Sequence, residues 1–321
     1  MTADRAGWGA GDGAGHARPR PGAVAPVSRV RPRRGQLALL LASARPRQWL
    51  KNLLVLAAPL AAGTLLQGRV LARTLTALVA FCLVSAAVYL VNDIVDAEHD
   101  RAHPDKRGRP IAAGDLSPVT AGSVAALLAA AALAVSLLVG WQLTAVLATY
   151  VVGALAYTLG VKRQPVFDLA LVTAGFVLRA LAGAVAAAAP LSEWFLLVAS
   201  FGALFMVAGK RYADVVRPAV DPASLGAVAY TPSFLRFVYG MAASVTVTGY
   251  ALWAFQVGAA RGGAGWAQLS IAPLTLAVLR YAVDVDQGRA GSPEDVVLGD
   301  RALIGLGLVW LALFWMAADV S

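Results

Sequence analysis

Nine stretches of this chain are apolar for long enough to cross a bilayer, which leaves few folds open to it. They run over about 48–66, 71–95, 117–139, 142–160, 166–188, 192–209, 234–258, 266–284 and 300–318. A helix needs roughly 17–25 mostly apolar residues to span the hydrocarbon core. Because lipid cannot satisfy backbone N–H and C=O groups, such spans form helices. Hydrophobic residues make up 59% of the 321 positions and charged residues 14%, against roughly 25% charged in soluble domains. The chain therefore reads as an all-α integral membrane protein with nine transmembrane helices. Residues 1–42 read as a disordered basic tail, with too little apolar surface to fold alone, and residues 43–321 as the membrane domain.

Lysine and arginine give this topology a direction, since cytoplasmic flanks are enriched in them. With the N-terminus inside, ten of the 27 lie in the tail and the entry to the first span, and thirteen in other inside loops and helix ends. Only Arg69, Arg73 and Arg261 fall outside, and Arg179 lies within a span. The expectation is a multi-pass plasma-membrane protein with a cytoplasmic N-terminus and an extracytoplasmic C-terminus. A net charge of +9 on so apolar a chain points to membrane lipids and anionic phosphates as partners, not to nucleic acid. The lone Cys82 excludes a disulfide framework and a cysteine metal site.

Where the second span reaches the cytoplasm, residues 92–100 read Asn-Asp-Ile-Val-Asp-Ala-Glu-His-Asp. On a helix, Asn92, Asp93, Asp96 and Asp100 share one face. Acids crowded there repel one another, so they are expected to hold a hard divalent cation. Magnesium takes one or two carboxylates and completes its shell with water and substrate phosphates, an arrangement that neutralises a diphosphate leaving group. The four residues are the candidate metal ligands and catalytic centre, with Mg2+ expected and Mn2+ as its substitute. His99 and His103 read as solvated or supporting groups.

This motif, Asn92-Asp93-x-x-Asp96-x-x-x-Asp100 after the second of nine spans, resembles the first aspartate-rich motif of the UbiA superfamily of intramembrane prenyltransferases. The resemblance covers about residues 43–318. It implies a nine-helix bundle around a central cavity open to the cytoplasm, and polyprenyl substrates bound through magnesium and phosphate. Most members carry a second acidic motif after the sixth span; here that place reads Gly209-Lys210-Arg211-Tyr212-Ala213-Asp214. Lysine and arginine in place of carboxylates exchange metal-bridged phosphate binding for direct ion pairing.

Together with Arg45–Asn52 before the first span and Arg107–Gly114 after the second, this departure resembles the branch of the family that acts on 5-phosphoribosyl 1-diphosphate and decaprenyl (polyprenyl) phosphate. That branch transfers the phosphoribosyl group to the lipid phosphate, releases pyrophosphate and supplies precursors of cell-wall arabinan. Two alternatives stand beside it. One is a family member that moves a prenyl group from its diphosphate to a small acceptor; the other is an ion-coupled transporter. A homo-oligomer is compatible with each.

The remaining cations each have a functional and a topological reading. Lys106, Arg107 and Arg109 would meet the diphosphate, Lys210 and Arg211 (with Asp214 one turn on) the ribose 5-phosphate, and Arg47 and Lys51 the lipid phosphate. The resemblance implies phosphate contacts near Tyr157, Lys162 and Arg163 as well. All but Tyr157 and Asp214 also serve the positive-inside pattern, and Arg47 and Lys51 can snorkel. Arg179, deep within the fifth span, needs a partner at that depth; it is expected to face the cavity and a phosphate, or to pair with an acid such as Glu193. Trp49, Trp141, Trp194, Trp266, Trp310 and Trp315 fall near span ends and read as interfacial residues.

Overall fold

The structure, a computed structural model, describes residues 35–104, 106–189, 192–216, 230–261, 265–291 and 293–319. Residues 1–34, which carry most of the expected disordered tail, lie outside the described residues, as does Arg217. What is described belongs to the compact unit Gly35–Ser321. It is all-helical among the described residues: α1 (Gln36–Ala44), α2 (Ala57–Ala61), α3 (Gly68–Val95), α4 (Ala97–Ala102), α5 (Pro118–Leu137), α6 (Trp141–Leu159), α7 (Phe167–Ala187), α8 (Glu193–Val216), α9 (Pro232–Arg261), α10 (Trp266–Leu269), α11 (Ile271–Asp286), α12 (Pro293–Gly299) and α13 (Arg301–Asp319). Two 3-10 segments, Pro46–Leu56 and Val161–Arg163, interrupt them. Helix α1 begins inside the stretch expected to be tail; there Leu39 is buried and Leu40 packs against the apolar cluster of α3 and α5.

Seven of the expected spans are helices long and apolar enough to cross a membrane: α3, α5, α6, α7, α8, Pro232–Gly258 of α9, and α10 with α11 as one stretch, Trp266–Asp286. The last expected span forms a shorter apolar helix, Arg301–Ala317 within α13. The first departs most. Instead of one helix over 48–66, the chain runs as a 3-10 helix from Pro46 to Leu56 and then as the short α2. In a 3-10 helix residues three apart eclipse, and Asn52 and Val55, spaced by three, are the buried residues of this one. A buried stripe with that period favours the tighter helix.

Helix α7 organises the bundle, packing on α3, α6, α8, α2 and the first 3-10 segment. One apolar cluster joins Val55 to α3, α5, α6 and α7; another joins α8, α9 and α11. Small residues let the helices approach. At Gly183 the approach is so close that a Cβ would stand 1.9 Å from the carbonyl oxygen of Val55, so α7 seats the first segment only because it has no side chain there. Gly183→Ala is expected to lower stability by about 1–3 kcal/mol, the range for overpacking a tight contact. Thermal unfolding in detergent checks this, with Gly305→Ala as the neutral control because no atom lies within 4 Å of a Cβ built there.

Candidate active site

Helix α3 carries the acidic motif into the loop. The regular helix ends at Val95, yet the backbone keeps its pitch: Asp96 N–H donates to Asn92 O (2.9 Å) and Asp100 N–H to Asp96 O (2.8 Å). The expected common face therefore survives a break at Asp96. Asp93 and Asp100 are only 2% and 3% exposed. Buried carboxylates need counter-charges, and three segments supply them. Arg45 reaches Asp93; Arg109 bridges Asp93 (3.3 Å) and Asp100 (2.6 Å); Lys162 pairs with Asp96 (2.5 Å). Thr158 on α6 donates to the side-chain oxygen of Asn92.

Arg45 is placed by a turn that non-glycine residues rarely adopt, with φ 52° between α1 and the 3-10 segment. Its guanidinium also lies 5.1 Å from the centre of the Tyr89 ring. Lys106 is half-buried; that burial, then the neighbouring Arg109 charge, pull its ammonium below the usual lysine range, while Asp100 and Asp96 oppose the fall. Lys210 also acts on Lys106 electrostatically, which puts the acidic centre and the basic end of α8 in one field.

That basic end lines a cavity of about 610 Å³ whose walls are apolar, among them Leu54, Phe176 and Met206, with Lys51, Tyr157, Lys210 and Arg211 as its polar lining. Arg211 donates to Tyr157 OH (2.9 Å), and Lys210 pairs with Asp214 (2.8 Å). Tyr157 and Thr158 are successive residues of α6, one touching Arg211 and the other Asn92, so α6 joins the two halves of the site. A second apolar cavity of about 360 Å³ shares Leu54, Val198 and Ala199 with the first and continues the groove to Trp194, Trp253, Trp310 and Phe314. Trp194 and Trp310, expected as interfacial residues, line this second cavity; Trp310 Nε1–H donates to Tyr250 OH (2.9 Å).

The structure brings together Asn92, Asp93, Asp96, Asp100, Arg109 and Lys162 at the acidic centre, and Lys51, Tyr157, Lys210, Arg211 and Asp214 at the basic end. Arg47, Arg107 and Arg163 are exposed and form no ion pair with a described residue. Arg179 departs from expectation. It is 6% exposed, and its partners are neutral: Asn52 Oδ1 (2.8 Å), Tyr150 OH (3.0 Å) and Gly175 O (2.7 Å), with the rings of Tyr150, Phe176 and Phe81 at 4.9, 5.6 and 5.8 Å. Among the described residues it pairs with no acid, Glu193 included. Arg45, which reaches Asp93, Thr158, which reaches Asn92, and Asp168, which lies beside Arg211, are neighbours of the candidate residues that the sequence did not single out. Arg45 opened the quoted Arg45–Asn52 segment, the one signal that could have marked it.

Residues 53–304 match the UbiA prenyltransferase family. The chain belongs to that family. It is 47% identical over 299 residues to a protein of Mycolicibacterium smegmatis named decaprenyl-phosphate phosphoribosyltransferase, covering 88% of this chain and 93% of the relative. A protein of the same name from Corynebacterium glutamicum is 46% identical over 288 residues, covering 88% and 87%. Among solved structures, a UbiA homolog from Archaeoglobus fulgidus bound to GPP and Mg2+ superposes with a TM-score of 0.69 at 16% identity, over 88% of this chain and 99% of that one. That likeness shows the UbiA fold. Membership in a transferase family sets aside the transporter reading.

Among the described residues no three His, Cys, Asp or Glu side chains already converge as a metal cage. The UbiA acidic motif nonetheless fits magnesium. It offers only hard oxygen donors, and the ion needs no more than one or two carboxylates beside substrate phosphates. In the structure these carboxylates face Arg45, Arg109 and Lys162 instead. Arg109→Gln is expected to cost about 2 kcal/mol of stability, below the roughly 3–5 kcal/mol for fully buried pairs because Arg109 is 29% exposed. Adding Asp100→Asn should recover part of the loss in thermal unfolding. Strict additivity of the two changes would count against a shared ion pair.

Proposed function

We propose that this protein transfers the 5-phosphoribosyl group from 5-phosphoribosyl 1-diphosphate to decaprenyl phosphate and releases pyrophosphate. The observation that carries the reading is the basic pair Lys210–Arg211 on the apolar cavity, where a donor of prenyl diphosphate would call for a second acidic motif. The names of the relatives in Mycolicibacterium and Corynebacterium support it. In this reading nine segments cross the plasma membrane, the first as the broken 3-10 and α2 stretch and the last as α13. The cavity opens to the cytoplasm and the C-terminus lies outside. The product feeds cell-wall arabinan synthesis.

In the reaction an oxygen of the lipid phosphate attacks C1 of the ribose, and the C1–O bond to the diphosphate breaks with its electron pair leaving on pyrophosphate. Positive charge gathers on the sugar ring as in glycosyl transfer. The phosphate nucleophile, with a second pKa of about 6, is already ionised at neutral pH, so the site needs no general base and His99 and His103 take no part. Asn92, Asp93, Asp96 and Asp100 would hold Mg2+, or Mn2+, which supplies charge neutralisation for the departing pyrophosphate.

The chain's own cations position the rest. Arg109, Lys106 and Lys162 meet the diphosphate, with Arg45 beside them. Lys210 and Arg211 grip the ribose 5-phosphate, Arg211 with the planar fork suited to bidentate binding. Lys51 and Arg47 meet the lipid phosphate, whose prenyl tail follows the groove past Leu54 toward Trp310. Holding both substrates so that C1 faces the phosphate oxygen converts a two-body encounter into an oriented one.

The test uses purified protein in detergent with Mg2+, decaprenyl phosphate and radiolabelled 5-phosphoribosyl 1-diphosphate. Label is expected in an organic-extractable lipid, and Asp93→Ala is expected to cut the rate about 100-fold or more, the scale of losing a preorganised electrostatic group. Transfer from a prenyl diphosphate to an aromatic acceptor, without labelled lipid, would keep the fold and overturn the substrates.

A further inference from the structure

Behind Arg211 stands a carboxylate that does not itself line the cavity. Asp168, in the first turn of α7, is fully buried at 0% exposure. Its Oδ2 lies 3.3 Å from Arg211 Nη2, and its Oδ1 accepts the hydroxyl proton of Tyr230. Oδ2 has no hydrogen-bond partner in regular geometry among the described residues. Its attraction to Arg211 is therefore one of charge, while the Arg211 Nη2–H is directed to Tyr157 OH at 2.9 Å. Tyr230 in turn accepts the backbone N–H of Val166 (2.7 Å). Val166 is a β-branched residue held at φ 68°, in the sparsely populated positive region. A strained turn, a buried acid and a tyrosine just ahead of α9 thus converge on one guanidinium.

Lys210, the adjacent cation, is held differently. Its partner Asp214 is one turn along the same helix, and the lysine side chain is 43% exposed. Such an exposed i,i+4 pair is weak and exchanges readily with solvent or ligand. The two cations of the basic end therefore divide their work: Lys210 adapts to the ligand, and Arg211 is preset. Presetting matters for arginine because its planar fork binds a phosphate well only in a limited range of orientations.

We propose that Asp168 is a positioning residue, which together with Tyr230 fixes the guanidinium of Arg211 for a phosphate monoester group entering the cavity. This rests on the reading of Lys210–Arg211 as the ribose 5-phosphate site. Asp168 acts through Arg211 alone and does not touch substrate. The Tyr230 phenol stays protonated and able to donate throughout the working pH range, because burial and the hydrogen bond to Asp168 push it up to about 12.

The experiment is a two-residue cycle on the full chain in detergent. Asp168→Asn keeps the shape and removes the charge, and is expected to raise KM for 5-phosphoribosyl 1-diphosphate about 10-fold, the scale of one charge-assisted contact, with kcat changed less than about 2-fold. Arg211→Ala should raise KM at least as much, and the double variant no further than Arg211→Ala alone. Tyr230→Phe, which leaves the ion pair in place, should move KM in the same direction by a smaller factor. An Asp168→Asn effect that persists undiminished in the Arg211→Ala background would overturn the proposal, as would a loss confined to kcat. Should the wild-type chain transfer no phosphoribosyl group, the proposed reaction falls, and the positioning role is decided by calorimetric titration with ribose 5-phosphate. Weakening by Asp168→Asn that vanishes in the Arg211→Ala background sustains it, and independent effects overturn it.

Discussion

The site depends on the cost of burying negative charge where an apolar helix ends. Asp93 and Asp100 sit at exposures of 2% and 3%, where a lone ionised carboxylate is strongly disfavoured. The counter-charges arrive from separate parts of the chain: Arg45 ahead of the first segment, Arg109 in the loop after α4, and Lys162 after α6. Each contact therefore also closes the fold. The segment before the first 3-10 helix, the loop leading to α5 and the link between α6 and α7 are tied to the end of α3 by charge pairing, in an otherwise apolar bundle.

The same economy of charge explains the interior. Arg179 lies deep in α7, pairs with no acid among the described residues, and is satisfied by Asn52, Tyr150 and a backbone carbonyl, with three aromatic rings around it. Asn52 can reach it because the first segment is wound as a 3-10 helix pressed against α7 at Gly183. A cation held this way needs no counter-ion from the ligand. Arg179 reads as a structural pin between the first segment and α7.

Around these pins the molecule joins two unlike environments. One is a groove of leucine, valine, alanine and aromatic side chains running from Leu50 to Phe314; the other is a basic end lined by Lys51, Lys210 and Arg211. A lipid phosphate has the same division, a long apolar chain with a compact anionic head.

How much of this was written in the chain itself follows from the range of the interactions concerned. The spans α3 and α5 to α9 were legible because apolar length is a property of contiguous residues. The acidic face was legible because spacings of three and four align on any helix, and Lys210–Arg211 because the pair is adjacent. What the chain could not show are contacts whose partners lie far apart along it. Arg45 and Asp93 are separated by 48 residues, Tyr230 and Asp168 by 62, and Arg179 and Asn52 by 127. Hydropathy likewise missed the 3-10 winding of residues 46–56, since composition measures how apolar a segment is and not which of its faces a neighbour will cover. Local spacing and apolar length determined by themselves that this is a helical membrane protein with an acidic centre and a basic end. Only the packing of the helices and the loops between them decided which cations meet the acids, which line the cavity and which are held inside the bundle, because those assignments depend on distance in space.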